Sequence, residues 1–330
     1  ATMLRLRKYD SKRTKIFNKI KIIVLKVFLV VVIVAGAAGI SSGIGIMNGI
    51  ISSAPDISKI DVTPTGYSTT VLAANGEETA TLVGQGANRQ YVTIDEIPLD
   101  LQHAFVAIED ERFYKHNGID LHGIGRAFLS GLSKGSFNEG ASTITQQLIK
   151  NNVLTSWTSE TSFVEKLQRK IQEQYLALQL EKKVNDKDWI LENYMNSVNL
   201  GANTLGVEAA SKKYFNKDVS ELTLSESAVI AGITQNPSGY NPITHPDKNA
   251  KRREKVLNNM KDQGYISKAE YDEAMADDVY TRIAEYNTNS SGSVNSYFID
   301  ALIENVHDDL KEAGYTDTEA YKLIYQGGLT

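Results

Sequence analysis

Apolar residues recur every three or four positions along most of the chain from Leu99 onward, which is the pattern of helices that bury one face. Thr223–Glu226 and Ser267–Glu270 each place a hydroxyl three positions before a glutamate, the signature of a capping box at a helix start. Pro246 suits the first turn of a helix that runs to about Asp262. Further helices are predicted over residues 101–111, 122–131, 142–152, 163–183, 186–197, 206–214, 296–313 and 317–326.

A short β-hairpin is predicted ahead of these helices. Residues 69–74 and 79–83 flank Asn75-Gly76, a dipeptide that favours tight hairpin turns. We expect this hairpin to be the only notable sheet. The pattern therefore predicts a mainly α fold with one small β-hairpin.

A long uncharged run near the N-terminus predicts one transmembrane helix before the folded part. No charged residue occurs between Lys26 and Asp56, and this length exceeds the roughly 20 residues that cross the hydrocarbon core of a bilayer. We place the anchor at residues 22–46, after a basic cytoplasmic tail at residues 1–21. A cleaved signal peptide is the alternative, because Ala35–Ala37 resembles a small-residue cleavage site.

Charge is distributed unevenly along the chain. Residues 1–26 hold nine Lys or Arg and one acidic residue, while the whole chain holds 35 basic and 40 acidic residues. The remainder, with 26 basic and 39 acidic residues, is a poor candidate for general nucleic-acid binding. The basic flank predicts a single-pass membrane protein with a cytoplasmic N-terminus and the rest of the chain outside the cytoplasm. The absence of cysteine fits an extracytoplasmic protein of a bacterium that does not use disulfides.

Four polar blocks interrupt the apolar helical pattern. They are Glu109–Gly118, Gly140–Asn151, Arg169–Glu173 and Asn193–Asn196. Any one of them suits a capped helix with a solvated face. Four in sequence indicate a single cleft with two carboxylates and several cations, which suits the transfer of a sugar away from a phosphate.

The third block lies in a helix whose other face is apolar. One face of that helix carries Lys166, Arg169, Lys170 and Glu173. Salt bridges on a helix surface contribute only about 0.3–0.5 kcal/mol each, so stability gives little reason for this arrangement. A surface stripe of ion pairs is the alternative to a binding site.

The second block contains a predicted helix start. Ser142-Thr143 supplies hydroxyls there, where free backbone amides and the helix dipole attract anions. Gln147 and Lys150 follow on the same side. Together with the cations of the third block, this helix start would form a binding site for a diphosphate. Arg can donate two hydrogen bonds to phosphate oxygens at once, and Lys supplies a point charge. A capped, half-exposed helix is the alternative.

The first block begins with Glu109, which ends a helix with apolar positions such as Phe105. Its carboxylate is a candidate acid or base, and a solvated acidic cluster with Asp110 and Glu111 is the alternative. His116 is predicted to form structural hydrogen bonds, because the five histidines show no spacing typical of a metal site.

The blocks resemble the motifs of a known enzyme family. These motifs are ED-x-x-F-x-x-H-x-G from Glu109, G-x-S-T-I-T-Q-Q-L-x-K-N from Gly140, R-K-x-x-E from Arg169, ILE-x-Y-M-N from Ile190, and a fifth block with Glu226–Ala228, Gln235–Pro237 and Tyr240–Pro242. In this order they are similar to family 51 peptidoglycan glycosyltransferases, the domains of class A penicillin-binding proteins and of monofunctional transglycosylases. The resemblance covers about residues 68–262 and implies a lysozyme-like helical fold.

The resemblance also implies a reaction. Glu109 would deprotonate the 4-hydroxyl of the acceptor lipid II, and that oxygen would attack C1 of the undecaprenyl-diphosphate-linked donor. The α linkage is inverted to a β-1,4 bond, and undecaprenyl diphosphate leaves. Glu173 would be the second catalytic residue, holding the cations and the donor sugar in place. The substrate-binding residues implied are Thr143, Gln147, Lys150, Asn151, Arg169 and Lys170.

The resemblance implies no required cofactor and no metal-binding residues. It is compatible with a divalent cation, Mg or Mn, bound to the diphosphate. The implied partners are lipid II, the growing lipid-linked glycan, the lipid bilayer and cell-division or elongation proteins, but no nucleic acid. Phosphoglycolipids such as moenomycin are the implied inhibitors. The competing functions are a lysozyme-like glycan hydrolase and a non-catalytic, membrane-tethered cell-wall scaffold.

Several segments lie outside the motifs. We expect a linker at residues 47–67, a glycosyltransferase domain at 68–286, and at 287–330 a linker with the start of the connection to a transpeptidase domain. No Ser-x-x-Lys or Lys-Thr-Gly occurs, so the chain is expected to be part of a longer bifunctional protein. Asn199–Gly201 departs from the family's Tyr before Gly, and Ser133–Gly140 is predicted to be mobile.

Overall fold

A computed structural model describes residues 2–59, 61–64, 66–82, 89–134, 140–154, 160–202, 204–289, 297–327 and 329. The chain forms two units, Ala1–Ala54 and Pro55–Thr330. The first consists of helix α1, Thr2–Ser52. Within it, Phe17–Ser52 is long and apolar enough to cross a membrane, and a signal sequence would meet the same criterion. The anchor and the signal peptide therefore both remain interpretations of this segment.

The second unit is mainly helical. Its helices are α2 (Leu99–Glu109), α3 (Leu121–Lys134), α4 (Ile144–Asn152), α5 (Phe163–Val184), α6 (Lys187–Met195), α7 (Val207–Phe215), α8 (Leu224–Ile233), α9 (Pro246–Asp262), α10 (Lys268–Ala276), α11 (Val279–Asn289), α12 (Tyr297–Glu312) and α13 (Asp317–Gln326). The predicted helices are all present, with ends that differ by at most three residues. Helix α11 was not predicted, because no capping box or proline marks its start.

Helix starts follow the capping chemistry that the sequence contains. Thr223 and Ser267 each accept a hydrogen bond from the backbone amide of the glutamate three positions on, which confirms both predicted capping boxes. Thr143 caps α4 in the same way, with Gln146 as its partner. Pro246 occupies the first turn of α9, as predicted. These caps satisfy backbone amides that the helix itself cannot pair.

The core of this unit is built around α8. Every residue from Ser225 to Ile233 is buried, and α8 packs against α2, α7, α9 and α10. A helix that is buried on all sides is the central element of such a bundle. Helix α4 packs on α5 and α6. The predicted polar blocks thus end α2, begin α4 and lie within α5, on elements held by packing.

The small sheet is a hairpin of β1 (Thr69–Leu72) and β2 (Glu78–Leu82), paired antiparallel. Gly76 provides the positive φ of 85° that its turn requires. The predicted class is confirmed: mainly helical, with one small antiparallel sheet and a long apolar helix at the N-terminus.

The C-terminal helices share a small core with this hairpin. Buried residues from both parts meet in one cluster: Val71, Leu82, Ile299 and Ile324. The backbone amide of Tyr67 donates to the carbonyl of Gln326 at 3.0 Å, and that of Thr70 donates to Leu329 at 2.9 Å. The predicted boundary at residue 286 stays a prediction, although the hairpin packs with helices beyond it.

Two sequence predictions fall partly outside the described residues. The expected mobile stretch Ser133–Gly140 includes residues 135–139, and the expected linker after residue 286 includes residues 290–296; neither set is described. Of the second stretch, residues 287–289 form the end of α11.

Candidate functional site

A cleft of about 760 Å³ lies where α2 ends, against α4, α5, α8 and α9. Its lining residues are Ala107, Ile108, Glu109, Glu111, Arg126, Gly140, Ser142, Gln147, Lys150, Lys170, Glu173, Thr234, Gln235, Arg252, Lys255, Asn259, Asp262 and Gln263. Most of these side chains are polar or charged. Five of the eight residues predicted from the sequence therefore share one cleft: Glu109, Gln147, Lys150, Lys170 and Glu173.

Glu109, the last residue of α2, accepts hydrogen bonds from two neutral side chains. The Gln147 amide nitrogen donates to Oε2 at 2.8 Å, and the Thr234 hydroxyl donates to Oε1. Neutral partners hold the carboxylate in place without pairing its charge. The group is thereby oriented at the cleft and remains able to accept a proton.

Tyr194 fixes the orientation of the Gln147 amide. Its hydroxyl donates to Gln147 Oε1 at 3.2 Å, which directs the amide nitrogen towards Glu109. Tyr194 is fully buried in α6, and burial, followed by the charges of Glu109 and Asp110, raises its pKa well above the ordinary value. The phenol therefore stays protonated and acts as a permanent donor.

Asp110, the next residue, has a structural role. The His116 Nε2 nitrogen lies 2.9 Å from both of its oxygens, and the backbone amide of Ile144 donates to it at 3.0 Å. The amide of Gly118 donates to His116 Nδ1 at 3.1 Å, so the hydrogen that faces Asp110 is on Nε2. The predicted structural role of His116 is confirmed, and the pair ties the end of α2 to the start of α4.

Glu173 is the centre of a cationic cluster on α5. It is almost completely buried, with Lys170 Nζ at 2.7 Å from Oε2 and the Arg169 guanidinium paired with Oε1. Lys170 also donates to the Ser142 hydroxyl at 2.6 Å, which connects α5 to the segment before α4. Glu173 is thus a paired carboxylate that positions cations.

Lys150, on α4, completes this cluster from the other side. Burial lowers its pKa, Glu173 and Glu109 oppose the shift, and Lys170 and Arg169 add to it. All four groups therefore act electrostatically on one ammonium. The carboxylate of Glu109 and the cations of α4 and α5 face the same space.

Three predicted site residues are not among the described residues that line the cleft. Thr143 is buried, and its hydroxyl donates to Gly118 O at 2.7 Å while it caps α4. Arg169 lies behind Glu173 and donates from Nε to Glu160 at 2.8 Å. Asn151 is half-buried near the end of α4. Their roles in substrate binding stay predictions, and the structure gives Thr143 a capping role.

Sequence reasoning missed several lining or supporting residues. Tyr194 lies within the fourth block and Thr234 directly precedes the fifth-block residue Gln235. Arg252 and Lys255 add two cations from α9, and their spacing of three residues on a helix was the signal available.

The described residues do not form a metal site of their own. No group of three or more His, Asp or Glu among them is arranged to hold a metal ion. Both oxygens of Glu173 are already engaged by Arg169 and Lys170. This donor set does not fit a divalent cation bound by the protein, and a cation carried by the diphosphate stays a prediction.

Comparison with known proteins defines the family. Residues 75–261 match the family described as transglycosylase. The chain belongs to the transglycosylase family. The match covers all five sequence blocks that the family resemblance rested on, and every residue that lines the cleft except Asp262 and Gln263.

Individual proteins are similar to this chain beyond residues 75–261. The chain is 39% identical over 321 residues to penicillin-binding protein 1A of Clostridium botulinum, which covers 93% of this chain and 37% of that protein. It is 40% identical over 271 residues to penicillin-binding protein 1F of Bacillus subtilis, which covers 78% of this chain and 36% of that protein. The chain therefore spans little more than a third of these relatives' length.

A solved structure was also found to be similar. The crystal structure of penicillin-binding protein 1A from Haemophilus influenzae has a TM-score of 0.39 and 24% identity, over 80% of this chain and 26% of that one.

Proposed function

We propose that the chain is a peptidoglycan glycosyltransferase that polymerises lipid II into β-1,4 glycan strands. The observation that carries this proposal is the single cleft in which Glu109 faces Lys150 and Lys170. A sugar that leaves a diphosphate needs one base for the attacking hydroxyl and positive charge for the departing anion. The cleft supplies both.

The base step is assigned to Glu109. Its carboxylate takes the proton of the acceptor's 4-hydroxyl as that oxygen bonds to C1 of the donor. The bond from C1 to the diphosphate oxygen breaks, its electron pair leaves with undecaprenyl diphosphate, and the anomeric centre inverts. Glu109 suits this step because its partners Gln147 and Thr234 are neutral.

The role of stabilising the leaving group is assigned to the cations. Lys150 and Lys170 line the cleft, and Arg169 supports them through Glu173. A diphosphate is stable as an anion, so cations replace the protonated acid that an alkoxide leaving group requires.

Exposed apolar side chains support a lipid-linked substrate. Leu121 and Leu129 on α3 are 76% and 67% exposed, and Phe163 at the start of α5 is 77% exposed. Such side chains on the surface of a folded unit suit contact with lipid. Together with the apolar segment of α1, they support an enzyme that works at a bilayer on two lipid-linked substrates.

The paired state of Glu173 disfavours the hydrolase alternative. Glycoside hydrolysis normally uses two carboxyl groups, one of them protonated to serve as the acid. Glu173 pairs with Arg169 through one oxygen and with Lys170 through the other, so neither oxygen is free to protonate a leaving group. The cleft therefore offers one free base and a set of cations, which suits transfer from a diphosphate.

Polymerisation of purified lipid II tests the proposal. We expect polymer from the wild-type chain and a loss of about 10²–10⁴-fold in rate for Glu109→Gln, the usual contribution of a general base. Glu285→Gln, at an exposed position on α11, removes the same charge away from the cleft and should polymerise normally. Soluble fragments released from finished glycan strands would favour a hydrolase, and equal polymerisation by Glu109→Gln would contradict the proposed base.

A further inference from the structure

Thr234 joins the end of α8 to the carboxylate of Glu109. Its hydroxyl has two acceptors within reach, Glu109 Oε1 and the carbonyl oxygen of Ala231 at 3.0 Å. A threonine hydroxyl carries one hydrogen and two lone pairs. It can therefore donate to only one of these oxygens at a time, and it can accept a hydrogen bond while it donates to the other.

The other partner of Glu109 lacks this freedom. Because Tyr194 donates to Gln147 Oε1, the Gln147 side chain presents its amide nitrogen to Glu109 Oε2. An amide nitrogen donates and does not accept. Glu109 thus has a fixed donor on Oε2 and an adaptable hydroxyl on Oε1.

We propose that Thr234 is a positioning residue that serves both charge states of Glu109. Before proton transfer its hydroxyl donates to the carboxylate. After transfer it accepts from the carboxylic acid and turns its own hydrogen to Ala231 O. The inference rests on the proposed function, in which Glu109 is the general base.

Every proton in this step is accounted for. The acceptor's 4-hydroxyl loses its proton to Glu109 Oε1 while its oxygen bonds to C1, and the diphosphate leaves with the electron pair of the broken bond. Thr234 gains and loses no proton, since only its hydrogen bond changes direction. Glu109 then returns the proton to water in the open cleft.

The physical reason lies in how hydrogen bonds depend on charge. Two fixed donors would favour the ionised carboxylate and oppose the uptake of a proton. One adaptable partner orients the carboxylate beforehand and still satisfies the acid that forms. Ala231 is a suitable second acceptor because carbonyls in the last helical turn have no amide of a continuing helix to bind.

The test compares Thr234→Val with Thr234→Ser in the full chain. Valine keeps the shape and removes the hydroxyl, whereas serine keeps it. We expect Thr234→Val to lower kcat about tenfold with KM unchanged within about twofold, because Glu109 loses the partner that orients its carboxylate and accepts from the acid that forms. Thr234→Ser should stay close to wild type. Thr281→Val, on the exposed face of α11, is the matched control.

A binding measurement that needs no turnover separates this inference from the proposed function. The Kd for lipid II, measured in wild type and in Thr234→Val, should agree within about twofold, because the proposed role of Thr234 is to position Glu109 and not to bind the substrate. The other charged groups that share the cleft are unchanged in both: Glu111, Arg126, Lys150, Lys170, Glu173, Arg252, Lys255 and Asp262.

The outcomes are distinct. Glu109→Gln in the same polymerisation assay reports on the proposed function alone. A kcat for Thr234→Val equal to that of wild type, or a Kd weakened enough to explain its lower activity, overturns the role of Thr234, even if the chain polymerises lipid II. A kcat for Thr234→Ser as low as that of Thr234→Val would also overturn it, because serine retains the hydroxyl.

Discussion

Partners decide what each carboxylate near the cleft does. Glu109 accepts from Gln147 and Thr234 and keeps its charge available, while Asp110 beside it is used by His116 to join two helices. Glu173 is buried between cations. Chemistry at the scale of single residues therefore follows from whether the neighbours of an acid are neutral, structural or oppositely charged.

Glu208, on α7, offers a measurable consequence of burial away from the cleft. Burial raises the pKa of Glu208 to about 7, although the amide of Val219 donates to it at 2.7 Å and Lys212 lies nearby. Its pKa is higher in the folded chain than in the unfolded chain, so the folded state binds more protons between these values. The contribution of Glu208 to the free energy of unfolding should be complete below about pH 4.5 and should be lost as the pH rises through about 7.

Glu208→Gln keeps the hydrogen-bond acceptor and removes the titration. We expect the variant to be roughly 2–3 kcal/mol more stable than wild type at pH 8 and similar to it at pH 4.5. Chemical denaturation at both pH values measures this difference. Equal stabilities of the two proteins at pH 8 would show that the carboxyl of Glu208 does not resist ionisation.

The sequence revealed some of these residue roles and not others. Glu109, Lys150 and Glu173 could be predicted because each lies in a polar block within an apolar pattern. The role of Thr234 could not, because its partner Glu109 is 125 residues away and α8 gives no local sign of which side chain it meets.

At the scale of elements, the loop after α2 sets the distance between the base and the helices that carry the cations. Gly118 accepts the Thr143 hydroxyl at its carbonyl and has a φ of 90°. An added Cβ would lie 2.7 Å from the carbonyl oxygen of Ala177 on α5. This close approach lets α5 and the start of α4 pack on the same loop.

Two glycines with similar backbone conformations test this packing. Gly264 also has a positive φ, of 81°, but nothing lies within 4 Å of an added Cβ. Gly264→Ala should cost about 1–2 kcal/mol, the conformational penalty alone. Gly118→Ala should cost about 2 kcal/mol more, because the clash is with backbone and something must shift. Equal unfolding free energies for the two variants would show that the close contact with Ala177 does not affect stability.

Local signals explain which elements the sequence predicted. Capping boxes and a proline marked the starts of α8, α9 and α10, because these motifs act within four residues. The packing of α12 and α13 on the hairpin was not foreseen. Ile299 and Val71 meet across more than two hundred residues of sequence, and a pattern of apolar positions shows that a face is buried without showing what buries it.

At the scale of the whole molecule, the chain combines an apolar N-terminal helix with a folded unit of the transglycosylase family. The basic residues before the apolar segment and the acidic chain after it favour a cytoplasmic N-terminus. With this orientation, the proposed active site would lie outside the cell membrane, where a polymerase of cell-wall precursors is needed.

The absence of cysteine from the sequence makes this topology directly measurable. In intact cells, a membrane-impermeant maleimide should label Glu285→Cys, at an exposed position on α11, and should label Ser11→Cys only after the membrane is broken. The reverse pattern would place the folded unit in the cytoplasm. A band shortened by the mass of residues 1–37 would instead support the signal peptide.

In the proposed reaction, one carboxylate transfers the proton while separate cations bind the diphosphate. The most direct measurement determines both the Kd for lipid II and the rate of polymerisation on a single preparation of Glu109→Gln. We predict a Kd within about threefold of wild type and a rate at least about 100-fold lower, because the base acts in the transition state. An unchanged rate, or a loss of activity explained wholly by weaker binding, would contradict it.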